Sequence, residues 1–273
     1  MLTYPQIDPV IFSLGPLKVR WYGLMYVFGF AAAYLLVARQ IRTYRLKFIE
    51  DHFEDLNFVL IIGLILGARL GYVVFYNTGY YLHNPGEIFA VWQGGMSFHG
   101  ALLGLVTAGV LFCRKKGLPF LKTADLYAVT VPIGLGLGRI GNFINGELFG
   151  RVSDVPWSMV FPAGGPLPRH PSQLYECLLE GILLFTILWF LKSVHYNRKW
   201  PAGSLFAAFL IGYGLLRSFA ELFRQPDIQL GFLVGGLTMG QILSSLMILT
   251  GIVIIIFNRQ KRLFSENKDA LGN

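Results

Sequence analysis

The chain has 273 residues, of which 54% are hydrophobic and only 14% are charged, and its mean hydropathy is +0.55. Because soluble domains carry roughly 25% charged residues, this composition excludes an ordinary soluble domain and indicates an integral membrane protein. The net charge of +8 comes from basic residues scattered between apolar segments rather than gathered on one face, which argues against a nucleic-acid partner.

Seven apolar stretches are long enough to cross a hydrocarbon core about 30 Å thick, which takes roughly 20 helical residues. The sequence therefore predicts an all-α polytopic membrane protein that forms one integral membrane domain over residues 1–273. The first twenty residues lack a basic start before an apolar core, so we expect the first span to be retained. The seven predicted spans are 21–38, 57–76, 94–113, 126–146, 173–191, 203–222 and 237–257.

The distribution of Lys and Arg predicts the orientation of these spans. Fifteen of the 23 lie in the connections 39–56, 114–125 and 192–202 and in the tail from residue 258. Five lie in the first 20 residues and in the connections 77–93, 147–172 and 223–236. Positive residues accumulate on the cytoplasmic side, so the N-terminus is expected outside and the C-terminus in the cytoplasm.

Glycine patterns in the second and fourth predicted spans indicate close helix packing. Gly63, Gly67 and Gly71 recur at helical spacing, which lets a neighbouring backbone approach. The stretch 136–141 matches GxGxxG, but a dinucleotide site requires a strand before the glycines and a βαβ unit, neither of which fits a membrane span. We therefore interpret these glycines as packing positions.

No metal or cofactor is predicted. Cys113 and Cys177 lie in apolar segments without CxxC or His-rich spacing.

Five ionisable groups lie inside the predicted spans, each roughly 8–10 Å below the outer end at a rise of about 1.5 Å per residue. Such a group costs on the order of 3 kcal/mol at mid-membrane, so it is a functional candidate by default. The five groups are Arg69, His99, Arg139, Glu180 and Arg217. We expect them to share one cavity that opens to the outer leaflet.

Helical spacing groups further polar residues with these five. Tyr213, Arg217 and Glu221 are separated by four residues each and share one helix face, as do Glu176 and Glu180.

A structural alternative pairs Arg217 with Glu221, and Arg69 with Glu180, only to let the helices insert. Because three buried arginines would face two acids, this count leaves positive charge for an anionic ligand.

The stretch 138–151 combines groups suited to a polyol phosphate. The guanidinium of Arg139, like that of Arg217, can bind a phosphate through two parallel hydrogen bonds. Asn142 and Asn145 offer neutral donors and acceptors for hydroxyls, and Glu147 could accept from a hydroxyl or hold an arginine.

The same stretch, GRIGNFINGELFGR, closely resembles the signature of the prolipoprotein diacylglyceryl transferase family. The resemblance covers nearly the whole chain. The other motifs that carry it are DPVIFSLGP at 8–16, WYGLMYVFGF at 21–30, GGMSFHGALLG at 94–104, PRHPSQLYE at 168–176 and LIGYGLLRSFAELFRQPD at 210–227. The short connection from Glu147 to Pro168 puts in doubt only an accessory outer subdomain.

The resemblance implies an enzyme of the bacterial inner membrane that needs no cofactor. It would transfer the diacylglyceryl group of phosphatidylglycerol to the lipobox cysteine of a preprolipoprotein, with membrane lipids as its surroundings. The motif positions that the family treats as important are Tyr22, His99, Arg139, Asn142, Glu147, Gly150, Glu180, Tyr213, Arg217 and Glu221.

The resemblance, read with the chemistry of these side chains, suggests a role for each. Arg139 and Arg217 would hold the phosphate and stabilise the leaving group. Tyr22, Asn142 and Glu147 would orient hydroxyls, Glu180 and Glu221 would hold the arginines, and Tyr213 would line the cavity. Gly150 is interpreted as a backbone turn after the helix.

Two roles stay open. His99 is either the general base for the thiol or a hydrogen-bonded structural histidine, because the arginines could themselves stabilise a thiolate. Arg69 is either catalytic or a structural counter-ion, and we favour the latter.

The main rival function is an anion or phospholipid transporter or flippase, since buried arginines can mark a pathway. An intramembrane protease is disfavoured because no GxSxG motif or pair of intramembrane aspartates is present.

Overall fold

The computed structural model describes residues 2–15, 17–91, 94–226 and 236–271, so the outer connection predicted at 223–236 lies largely outside the described residues. The chain starts with an antiparallel ribbon of two strands, β1 (Val10–Leu14) and β2 (Leu17–Arg20). The α-helices are α1 (Trp21–Tyr44), α2 (Lys47–Glu50), α3 (Phe53–Tyr76), α4 (Thr78–His83), α5 (Phe98–Lys116), α6 (Phe120–Ala128), α7 (Val131–Ile144), α8 (Ser172–Glu176), α9 (Leu184–Asn197), α10 (Ser204–Ala220) and α11 (Met239–Leu271). A π-helical segment, Cys177–Leu183, joins α8 to α9.

Five helical segments within the described ranges are long and apolar enough to cross a membrane, which confirms a polytopic all-α protein. They are Trp21–Tyr44, Phe53–Tyr76, Phe98–Lys116, Ser172–Asn197 and Met239–Gln260. The pair α6 and α7 meets the same criterion together but is bent by 45°, and α10 is apolar with only 17 residues. The count of seven spans and their orientation stay predictions.

The helix in the third predicted span begins four residues after the predicted start of the span. Residues 94–97 are not helical, because Gly94 and Gly95 have positive φ values of 89° and 74°. The helix begins at Phe98, after Ser97 accepts a hydrogen bond of 3.2 Å from the backbone N–H of Gly100.

Contacts between Cα atoms divide the chain into two compact units. Unit 1 comprises Met1–Val37 and Ala124–Asn273, and unit 2 comprises Ala38–Thr123.

In unit 2, α3 and α5 pack through a seam of glycines. A Cβ atom added to Gly67 would lie 2.7 Å from the Cα atom of Gly104, and one added to Gly71 would lie 2.7 Å from the Cα atom of Gly100. Real Cβ atoms do not approach that closely, so the seam requires residues without side chains. The predicted close packing of the second span is confirmed.

In unit 1, the core lies between α9 and α10, where Leu184, Leu188 and Leu205 are buried with neighbours from α6. The π-helical segment packs against α7, and a Cβ atom on Gly136 would lie 3.1 Å from the Cα atom of Gly181. The GxGxxG stretch therefore lies in a helix packed against another helix.

The connection that follows α7 is ordered. Met159 bridges to both Leu2 and Arg169, so the N-terminal segment pairs with this connection. Tyr4 Oη donates to the carbonyl of Phe143 at 2.6 Å, which fixes that segment to the end of α7. Burial raises the pKa of the Tyr4 phenol.

Candidate functional site

Six charged side chains of unit 1 form one buried group, hereafter the charge cluster. Its members are Arg139 on α7, Glu176 on α8, Glu180 in the π-helical segment, Arg217 on α10, and Glu221 and Arg224 just after α10. Only Arg139 keeps appreciable exposure, with 17% of its side chain accessible, whereas Glu176 and Glu180 are fully buried.

Glu176 lies at the centre of the charge cluster. Its Oε2 atom is 2.9 Å from Arg139 Nη2 and 3.5 Å from Arg224 Nη1, and it accepts a short hydrogen bond from Arg217 Nη1. Its other oxygen, Oε1, is buried and has no hydrogen-bond partner among the described residues. One carboxylate oxygen thus contacts three guanidinium groups.

The other two acids contact fewer arginines. Glu180 Oε1 lies 3.5 Å from Arg217 Nη1, and Glu180 Oε2 lies 3.8 Å from Arg139 Nη2. Glu221 Oε2 lies 2.7 Å from Arg217 Nη2, an i, i+4 pair across one helical turn. The sequence prediction that Glu180 and Glu221 hold arginines agrees with these distances.

The excess of positive charge that the sequence count predicts is not seen within the charge cluster itself. The cluster contains three arginines and three glutamates, so it is formally neutral. Arg69, which the prediction counted, belongs to unit 2. The sequence reasoning missed the central place of Glu176 and the participation of Arg224. Both carried a signal, because Glu176 lies four residues before Glu180 and Arg224 lies three residues after Glu221.

A second polar group surrounds the carboxylate of Glu147. Its Oε1 atom accepts from Asn142 Nδ2 at 2.9 Å and from Asn145 Nδ2 at 3.1 Å. Its backbone carbonyl accepts from Gln173 Nε2 at 2.7 Å. Glu147 is therefore held by amides, and its two predicted roles, accepting from a hydroxyl and holding an arginine, stay predictions.

Tyr22 and Tyr213 also belong to unit 1. Tyr22 packs its ring on Gly141, and its Oη atom lies 3.1 Å from Tyr26 Oη. Tyr213 is half-buried and stacks on Phe209 with 5.9 Å between ring centroids.

The interpretation of Gly150 as a turn was wrong. Gly146 is the turn residue, with φ of 67°, whereas Gly150 bridges to Arg224 in extended pairing. A Cβ atom on Gly150 would lie 2.5 Å from the carbonyl oxygen of Phe223 and 2.6 Å from His170 Cβ. The absent side chain therefore lets the segment that carries Arg224 pass close by.

His170 lies beside Gly150 and is half-buried. Burial lowers the pKa of its imidazole, and Nδ1 lies 3.0 Å from Tyr175 Oη.

Arg69 and His99 lie in unit 2. All three side-chain nitrogens of Arg69 donate to backbone carbonyls, including Ile88 at 2.7 Å and Glu87 at 2.6 Å, and its guanidinium lies over the ring of Tyr81. These contacts favour the structural role for Arg69. They are made to carbonyls, so the counter-ion interpretation does not describe them.

His99 is the second residue of α5 and is exposed. Within its own unit it makes no hydrogen bond to a described residue, which weighs against the hydrogen-bonded structural alternative. Its role as the base stays a prediction.

Over the described ranges, no group of three or more His, Cys, Asp or Glu side chains is arranged to hold a metal ion.

Comparison with known proteins covers nearly the whole chain. The family model described as prolipoprotein diacylglyceryl transferase matches residues 9–257. A Desulfotalea psychrophila protein is 58% identical over 92% of this chain and 93% of its own length. A Geobacter sulfurreducens protein is 53% identical over 95% and 99%, and a Legionella pneumophila protein is 54% identical over 92% and 97%. All three are named phosphatidylglycerol–prolipoprotein diacylglyceryl transferase, which confirms the resemblance that the motifs carry.

Proposed function

The chain belongs to the prolipoprotein diacylglyceryl transferase family, and on that premise we propose that it lipidates preprolipoproteins. The thiolate of the lipobox cysteine attacks the glyceryl carbon that carries the phosphate ester of phosphatidylglycerol. A carbon–sulfur bond forms, the carbon–oxygen bond breaks, and glycerol phosphate leaves with the electron pair. The proton of the thiol passes to a base. The observation that best supports this activity is the buried group of arginines in unit 1.

The reaction takes place at the outer leaflet of the bacterial inner membrane. We propose seven spans with the N-terminus outside, in which the bent pair α6 and α7 forms one span and the short helix α10 forms another. The excess of Lys and Arg in the connections assigned to the cytoplasm supports this orientation.

Arg139 binds the phosphate directly. Its Nη2 atom makes its contacts within the charge cluster, while Nε and Nη1 form none of those contacts. It also has the most accessible side chain of the cluster's arginines. A phosphate can therefore accept hydrogen bonds from Nε or Nη1 of Arg139 while Nη2 stays on the glutamates.

Arg217 acts on the same phosphate through its charge. It faces Glu176, Glu180 and Glu221 and is nearly fully buried, so its field stabilises charge on the departing phosphate where the dielectric is low. Gly150 acts through the packing that brings Arg224 to Glu176. Tyr213 lines the cavity.

Asn142, Glu147 and Tyr22 orient the hydroxyls of the headgroup. The amide of Asn142 and the carboxylate of Glu147 already form one hydrogen-bonded pair, so their orientations are fixed before the lipid binds. Such preorganised groups bind a hydroxyl with little loss of conformational freedom.

The decisive assay incubates the purified protein with phosphatidylglycerol liposomes and a lipobox peptide. We expect a mass gain on the cysteine and an equal amount of released glycerol phosphate. Arg217→Ala should insert into the membrane but lose transfer. Lipid or anion flux without a modified peptide would instead support the transporter.

His99 is proposed as the base that takes the thiol proton. His99→Gln should lower the rate and alter the pH profile, whereas His83→Gln, an exposed histidine of the same unit, should change neither. An unchanged rate and profile in His99→Gln would assign the thiolate to the field of the arginines.

A further inference from the structure

The charge cluster contains a carboxylate for which the proposed reaction has no chemical use. Glu176 is fully buried, its Oε2 atom faces the guanidiniums of Arg139, Arg217 and Arg224, and its Oε1 atom has no hydrogen-bond partner in the described part of the chain. A carboxylate beside the groups that bind a phosphate competes with that phosphate for the same donors.

This competition can assist turnover, because the same arginines bind the phosphate in the substrate and in the product. They bind it in the lipid substrate and again in glycerol phosphate, the leaving group. The leaving group gains negative charge as the carbon–oxygen bond breaks, so interactions that stabilise its departure also hold the product tightly and slow its release. An uncompensated set of three arginines would retain a phosphate anion strongly at low dielectric.

We propose that Glu176 is a positioning residue that holds the three guanidiniums in place and limits how tightly they retain the anionic product. The inference rests on the proposed function and extends it to the step after chemistry. Glu176 touches neither the reacting carbon nor the sulfur. It acts through the arginines.

The geometry predicts a graded effect across the three acids. Glu176 contacts three guanidiniums, Glu180 contacts two and Glu221 contacts one. Replacing each glutamate by glutamine removes one negative charge and keeps the size of the side chain. The gain in affinity for glycerol phosphate should therefore be largest for Glu176→Gln and smallest for Glu221→Gln.

The test measures inhibition of transfer by glycerol phosphate, together with direct calorimetric binding of glycerol phosphate to the purified protein in micelles. In Glu176→Gln the inhibition constant should fall about tenfold, since one unit charge a few ångströms from the phosphate has been removed. The value of kcat should fall as release slows, while KM for phosphatidylglycerol should not rise. A change that only disrupted the site would raise KM and weaken inhibition.

Two further variants isolate the charge. In the double variant Glu176→Gln and Arg224→Gln, two arginines face two acids, so the inhibition constant should return toward its original value. Glu176→Asp keeps the charge with a shorter side chain, so it should lower kcat without tightening glycerol phosphate binding.

The inference is overturned if Glu176→Gln binds glycerol phosphate no more tightly than the unchanged protein. Should Glu176→Gln not fold, Glu180→Gln decides the question, and unchanged inhibition there also overturns it. If the wild-type protein transfers no diacylglyceryl group, the proposed function itself fails. If it transfers the group but the three Glu→Gln variants are inhibited equally by glycerol phosphate, only the present inference fails.

Discussion

Arg69 in unit 2 and Arg217 in unit 1 are both buried arginines in predicted spans, yet their surroundings differ in kind. The side-chain nitrogens of Arg69 donate to backbone carbonyls, among them those of Glu87 and Ile88. Arg217 instead faces the carboxylates of Glu176, Glu180 and Glu221. The first arrangement fixes a loop to a helix, and the second gathers charge around a site.

The difference teaches that the depth of an arginine does not by itself identify a functional site. A guanidinium held by carbonyls has used its donors on parts of the chain that cannot leave. In the charge cluster, Arg139 makes its ion pairs through Nη2 alone, so its other donors remain for a phosphate. Only the second arrangement is suited to bind and release a phosphate, and four substitutions test this contrast.

The largest effect is expected for Arg139→Gln. Losing the accessible guanidinium donors should reduce the transfer rate about 1,000-fold, the upper range for removing one preorganised donor. Arg139→Lys keeps the positive charge but lacks the planar guanidinium. Its transfer rate should lie between that of Arg139→Gln and that of the wild-type protein. Initial rates of peptide modification measure both variants, and near-normal rates in Arg139→Gln would remove the contrast with Arg69.

Gly150→Ala should give the next largest effect. The new Cβ atom would meet the Phe223 carbonyl at 2.5 Å, so the segment that carries Arg224 must shift. A displacement near 1 Å can cost about 100-fold in rate. Gly134→Ala, where nothing lies within 4 Å of the added carbon, is the matched control and should retain activity. Equal rates in the two variants would contradict the packing role.

Gly67→Ala should lower the stability of the protein more than it lowers the transfer rate. The added carbon meets the Gly104 Cα atom at 2.7 Å, and overpacking of this kind costs about 1–3 kcal/mol. Thermal unfolding in detergent should shift downward, while the affinity for glycerol phosphate stays unchanged. Gly79→Ala in the same unit is the control, because nothing lies within 4 Å of the added Cβ atom, and it should not shift the unfolding temperature.

Arg69→Gln should have the smallest effect on transfer. The backbone carbonyls that Arg69 contacts lose their hydrogen-bond donors. The free energy of unfolding should fall by about 2 kcal/mol, and the unfolding temperature should fall with it. Inhibition by glycerol phosphate should be the same as in the unchanged protein. Altered inhibition would mean that Arg69 contributes to the phosphate site after all.

The sequence predicted those parts of the fold that depend on local periodicity. The apolar spans, the close approach at Gly67 and the pairing of Arg217 with Glu221 all follow from composition and helical spacing. The division into two units could not be predicted, because it depends on contacts between residues far apart in the sequence.

The incomplete account of the charge cluster has a physical reason. Arg224 was counted as part of an outer connection, where a basic residue needs no explanation. Its guanidinium reaches Glu176 only because Gly150 lets its backbone pass closely. The central place of Glu176 likewise depends on the convergence of α7 and α10 on α8, which no single stretch reveals.

The π-helical segment Cys177–Leu183 makes this part of the chain sensitive to the insertion or deletion of a residue. Each residue turns a helix by about 100°, and a π turn accommodates one residue more than an α turn. Glu180 lies within this segment and faces the arginines. Leu184 and Leu188 follow the segment and face the hydrophobic core. A deletion of one residue here would convert the segment to a regular α-helix, in which Glu180 would take a different angle to the arginines. Substitutions are therefore far better tolerated in this stretch than insertions or deletions, and natural length variation should be confined to the loops.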